Sequence, residues 1–203
     1  MQGQVLEFWF STPGGHPVDE VARMRRWFMG GTTVDEEVRE RFADTVEAAL
    51  QGQLDHWAQT PRARLALILC LDQFTRNIFR GTPRAWSGDP AALAHSVAAY
   101  DAGEQATLSL DERVFLAMPM LHAEQVAMVE RFAALARGWV AEAPAAQQKG
   151  RQMSVEQAVK YRDILARFGR YPFRNAALGR PSTPDELAFL ETWAARSAPS
   201  GAR

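Results

Sequence analysis

Apolar residues recur along this chain three and four positions apart, and no stretch alternates in the manner of a half-buried strand. The pattern predicts helices throughout. Thr33 to Glu36 reads as a capping box opening a helix whose one side carries Val34, Val38, Phe42, Val46 and Leu50, closed by Gly52. Thr60-Pro61 opens a second helix that runs to Gly81, and Asp89-Pro90 opens a third that closes near Gly103. A helix from about Asp111 is expected to break at Pro119 and resume to about Glu142. Ser154 with Gln157 starts the next, which ends at Gly169 after an exposed connection over 143–151. Ser182 to Glu186 starts the last. The expectation is a single all-α domain, residues 1–203, of roughly eight helices, with no readable internal repeat.

One helix departs from ordinary amphipathicity. Leu65 to Leu71 is apolar on every side, the mark of a buried helix, yet the next turns carry Asp72, Gln73, Arg76, Asn77 and Arg80. At 100° per residue these five share an arc about 140° wide that prolongs the apolar stripe. They therefore line a cleft or belong to an ion-pair network that pins helices together, with Asp72 and Arg76 as an i,i+4 pair. Val155 to Phe168 repeats the anomaly: Arg162 projects inside the apolar face and calls for a carboxylate, with Asp72 and Glu124 as candidates. His122 projects among Phe115, Val126, Val129 and Ala133, where a hydrogen-bonded core histidine is the plainer reading. His122 and Glu124, two apart, do not form a chelating pair on a regular helix.

Composition narrows the classes. The 203 residues suffice for one substantial core, and a net charge of −1 supplies no global field for nucleic acid or an anionic membrane. No apolar run approaches the ~20 residues that span a bilayer. The first ten residues lack the basic start of a secretion signal, and the lone Cys70 excludes an internal disulfide, so a reducing cytoplasm is the expected setting. No HExxH, CxxC or paired-histidine spacing is present, so neither a metal nor a cofactor is expected. Positive charge is almost all arginine, 21 residues against Lys149 and Lys160. From Lys149 to Pro181 eight Lys/Arg face two acids, a local excess of +6. Within it the loop GRYPFRNAALGRP carries Arg170, Arg174, Asn175 and Arg180 on a backbone stiffened by Gly and Pro.

VLEFWF, RWF, LALILCLDQFTRNIFRGTPRAW, MPMLHAEQ and YRDILARFGRYPFRNAALGRPSTPDE together resemble the bacterial domain-of-unknown-function family 924 across nearly the whole chain. The resemblance implies a tetratricopeptide-like helical fold and no established activity. It covers Asp72, Gln73, Arg76, Asn77, Arg80, Arg84, His122, Glu124, Arg162, Arg170, Arg174 and Asn175. The chain departs from the family pattern where Thr75 stands for a proline and where Tyr161 and Phe173 stand for histidines.

Three functions follow as expectations. The first is a binding protein whose cleft takes a carboxylate- or phosphate-bearing small molecule or an acidic peptide end. There Arg76, Arg80, Arg162, Arg170 and Arg174 would be the anion forks, oriented by Gln73, Asn77 and Asn175. The second is a hydrolase or transferase on an acidic small molecule, with Asp72 or Glu124 as base and His122 as proton partner, which requires one of those carboxylates and His122 to share a solvent-filled pocket. The third is a structural or interaction module, with exposed edges of Trp9, Trp27 and Trp86 meeting a partner or a second copy as a homodimer.

Overall fold

The computed structural model describes residues 1–11, 23–24, 26–27 and 31–197. Among them are eight helices and no strand: α1 Gln2–Phe10, α2 Gly31–Leu50, α3 Pro61–Ile68 continuing through Leu69–Phe74 and Thr75–Ile78, α4 Asp89–Asp101, α5 Leu110–His122, α6 Val126–Glu142, α7 Ala145–Phe168 and α8 Pro184–Ser197. Arg23, Met24, Arg26 and Trp27 are also helical. No helix among the described residues is long and apolar enough to cross a membrane.

α3 is the axle. Leu65 to Cys70 are wholly buried, as an all-round apolar run requires, and α1, α2, α4 and α5 pack around them. Trp9 packs edge-on against Phe74 and Phe115 at 5.5 Å between ring centroids, which ties α1 to both α3 and α5. From α4 to α7 each helix packs on the next, and the α6–α7 pair is the most extensive.

Several expected boundaries move. α2 begins at Gly31, two residues before Thr33, so the Thr33–Glu36 pair lies inside the helix. Pro119 does not interrupt α5, which runs through it to His122; the break comes at Ala123–Gln125, before α6. The unforeseen start of α5 is a true capping box, Ser109 with Glu112. The supposed connection over 143–151 is mostly the first turns of α7, opened by Pro144.

The largest departure is within α3. Between Leu69 and Phe74 the helix widens into a π turn, an i→i+5 arrangement that fits one extra residue into the turn. The Thr75 hydroxyl donates to the carbonyls of Leu71 at 2.8 Å and Asp72 at 3.3 Å, satisfying acceptors within the widened turn. The chain entering α4 lies hard against it. A Cβ added to Gly88 would stand 2.2 Å from the Leu71 carbonyl oxygen, so only glycine fits there.

Candidate functional site

Asp72 sits on the π turn with no exposure, and every partner it has is polar. His122, the last residue of α5, meets its Oδ1 through Nδ1 at 2.7 Å, and Gln73 donates from Nε2 to its Oδ2. Arg76 lies one turn on, 3.2 Å from Oδ1, and donates to the Asp72 carbonyl at 2.5 Å. Burial alone would raise the Asp72 carboxyl, but the Arg76 charge and the side-chain hydrogen bonds from His122 and Gln73 outweigh it and hold the group well below the usual carboxylate range. Burial, with Arg76 close by, depresses the His122 imidazole below its ordinary value despite the pull of Asp72. An ionised carboxylate only accepts, so the neutral ring carries its proton on Nδ1 and its lone pair on Nε2.

Behind this pair a second carboxylate joins three elements. Asp89, at the start of α4, lies 2.8 Å from Arg76 and 3.3 Å from Arg174 of the turn after α7. Burial, reinforced by Asp72, pushes the Asp89 carboxyl up in spite of Arg76. Arg174 also donates to the His122 carbonyl at 2.9 Å and stacks over Tyr171 at 4.9 Å. Burial and the neighbouring Arg76 depress this guanidinium's affinity for its proton. Two carboxylates and two guanidiniums thus balance, with the imidazole neutral.

Gln73, Arg76 and His122 form one end of a cavity of about 570 Å³. Tyr161 and Gln157 of α7 stand at that same end, and Trp27, Val114, Phe115, Met118, Leu121 and Phe132 make the apolar walls. The stripe from Asp111 to His122 on α5 and that from Arg151 to Tyr161 on α7 both face the cavity. At 1.5 Å per residue each stripe is about 15 Å long. The far end carries Arg23, Asp111 and Arg151. Among the described residues no three His, Cys, Asp or Glu side chains are grouped to hold a metal ion.

Apart from Gln73 and Arg76, the arginines and amides marked in the sequence do not line this cavity. Arg80 and Asn77 turn to α2, where both bind Asp35, Arg80 at 2.5 and 2.7 Å and Asn77 at 2.7 Å. Arg170 and Asn175 bind Glu186 of α8 instead. Glu124 is also spoken for: it accepts from the Tyr171 backbone at 2.8 Å and pairs with Arg180 at 2.7 Å. Arg162 is a correction. It meets neither Asp72 nor Glu124 but lies exposed beside Asp163 at 2.7 Å, because the buried face of α7 is narrower than its apolar residues suggest and Val159 is itself exposed. Trp9, expected at an exposed edge, is 1% exposed, and Trp27 lines the cavity. Of the sequence candidates, Asp72, Gln73, Arg76 and His122 come together, with Arg174 behind them. Asp89, Tyr161 and the far-end trio went unmarked; Asp89 reads in sequence only as a helix start.

Residues 5–193 match the model of DUF924, described as a bacterial protein of unknown function. The solved structure of the protein of unknown function ATU0120 from Agrobacterium tumefaciens is 33% identical to this chain. The likeness covers 94% of this chain and 97% of that one, with a TM-score of 0.78. No curated protein matches.

Proposed function

Because the chain belongs to the DUF924 family of bacterial proteins of unknown function, whose name supplies no activity, we propose from the site itself that this is a hydrolase acting on an acyl bond of a small molecule, with His122 as general base. The observation that carries the reading is the Asp72–His122 pair at the end of the cavity: a buried, ionised carboxylate fixes Nδ1–H and leaves Nε2 as the basic nitrogen. Asp72 acts through His122 and is a positioning residue.

In the proposed step a water oxygen bonds to the acyl carbon while Nε2 takes a proton from that water. The bond from carbon to the leaving oxygen then breaks, and that oxygen takes the proton back from Nε2, leaving an acid and an alcohol. N–H groups of Gln73 and Arg76 at the cavity end suit the charge that develops on the carbonyl oxygen. The charge balance favours an acyl centre over a phosphoryl one. Arg76 is already neutralised by Asp72 and Asp89, so this end offers hydrogen bonds but no surplus charge for a substrate arriving as a dianion. Binding without turnover, the function an arginine cleft suggested, would now use this cavity, whose apolar walls favour it.

The test is release of p-nitrophenol from p-nitrophenyl alkanoates of graded length by the purified protein. His122→Gln is expected to lose about 10²-fold or more of kcat/KM. The acidic limb of the wild-type profile should fall below the ordinary histidine value of about 6.5, since burial depresses His122. Asp72→Asn removes a carboxylate that raises the imidazole, so it should move that limb lower still as well as slow the reaction. A wild-type rate equal to that of His122→Gln overturns the proposal.

A further inference from the structure

Among the described residues, the cavity's far end carries an unbalanced charge. Arg23 of the segment between α1 and α2 and Arg151 of α7 share a single carboxylate, Asp111 of α5: Arg23 Nη2 lies 2.9 Å from Oδ2 and Arg151 Nη2 donates to Oδ1 at 2.5 Å. The two arginine side chains are only 15% and 16% exposed, so their surplus charge is held largely out of water, where it acts strongly. Arg23 lies over the Trp27 ring at 5.3 Å, which fixes its plane. Its Nε–H is buried with no acceptor among the described residues. A buried donor without an acceptor is costly and uncommon, and a ligand oxygen is one of the few things that satisfies it.

We infer that Arg23 and Arg151 receive a carboxylate at the end of the ligand remote from His122, so the substrates are elongated molecules with an anionic tail, an apolar middle and the scissile acyl group about 15 Å away. The inference rests on the catalytic reading of the cavity for the word substrate, but its recognition half stands on the far-end geometry alone. Length comes from the two facing helical stripes. The apolar middle comes from Val114, Phe115, Met118, Leu121 and Phe132 between the polar ends. The nature of the tail comes from charge: two guanidiniums against one carboxylate leave a single positive charge, which one carboxylate neutralises. A phosphate dianion would leave an excess buried negative charge. Arg76 at the other end lacks this surplus, so the ligand has a preferred direction.

Two measurements separate this inference from the reading beneath it. Mono-p-nitrophenyl esters of α,ω-dicarboxylic acids are compared with neutral alkanoate esters of equal length. The expected result is a lower KM for the anionic series at one chain length. Arg151→Gln or Arg23→Gln should narrow the KM ratio between the series by about tenfold, with Arg→Lys restoring part of it. Isothermal titration of the free diacids and of matched monoacids into His122→Gln reads recognition without turnover, and the diacids should bind more tightly by a margin that Arg151→Gln removes. If the diacids bind that protein in this arginine-dependent way while no ester is hydrolysed by the wild type, the catalytic proposal fails and the recognition stands. If charged and neutral ligands are treated alike in both measurements, or if the preference survives both arginine variants, the inference is wrong.

Discussion

At the scale of the residue, two arginines show how differently one side chain is used. Arg76 is held by Asp72 and Asp89 at the end of the cavity, while Arg162 reaches into water beside Asp163. An exposed pair between adjacent residues is worth little, so Arg162→Ala should shift the urea unfolding midpoint by less than the equivalent of about 0.5 kcal/mol. A larger loss would mean that Arg162 lies in the interior after all. The site was partly legible from such residues. Asp72, Gln73 and Arg76 stood out because charge that continues an all-apolar helix has no ordinary surface to reach. Arg23 did not, because it is one of three arginines in the run VARMRRWFM, and Arg151 did not, because it sits in the polar run QQKGRQ that looks like any solvated helix face. Only the fold brings them to one carboxylate.

At the scale of the element, the fold class was legible because helix caps, glycines and Pro-opened turns are local signals. What projection could not show was the π turn. A constant 100° per residue puts Asn77 and Arg80 on one arc with Asp72, whereas in the fold Asp72, inside the widened turn, goes to α5 and Asn77 and Arg80, beyond it, go to α2. The expected break at Pro119, with a helix resuming to about Glu142, likewise placed His122 within a helix rather than at a helix end. Gly88 is the signal that a close approach leaves in sequence, and it has a measurable weight. Gly88→Ala puts a methyl group onto the Leu71 carbonyl, backbone that cannot step aside. It should cost about 1–3 kcal/mol or more by urea unfolding, with α4 pushed outward and Asp89 drawn from Arg76. A cost near zero would show that the π turn and α4 are not in close contact.

At the scale of the whole molecule, ion pairs join segments far apart in sequence, and one of them seats the last helix. Glu186, 2% exposed, takes Arg170 at 2.7 and 2.8 Å together with the Thr183 backbone N–H at 2.8 Å. The Arg170 hydrogen bonds come first in bringing its carboxyl down to about 2. A carboxyl depressed on folding stabilises fully above its unfolded value of about 4.3 and loses that contribution as pH falls towards the folded value. Amides of α8 should therefore exchange faster in acid than at neutrality, after correction for intrinsic rates. Glu186→Gln should exchange about tenfold faster at pH 7 and lose the acid dependence. Unchanged α8 protection in that variant would assign the seating to the aromatic contacts of Phe189 and Trp193 instead. The widened turn in α3 has a consequence of another kind, because it aims side chains. Deleting one residue from Leu69–Phe74 would close the wide turn to regular winding and leave the helix on either side in phase, redirecting only the turn's own side chains, Asp72 among them. The greasy axle would survive while the carboxylate and imidazole lost each other, so this stretch should drift in spelling far more readily than in length.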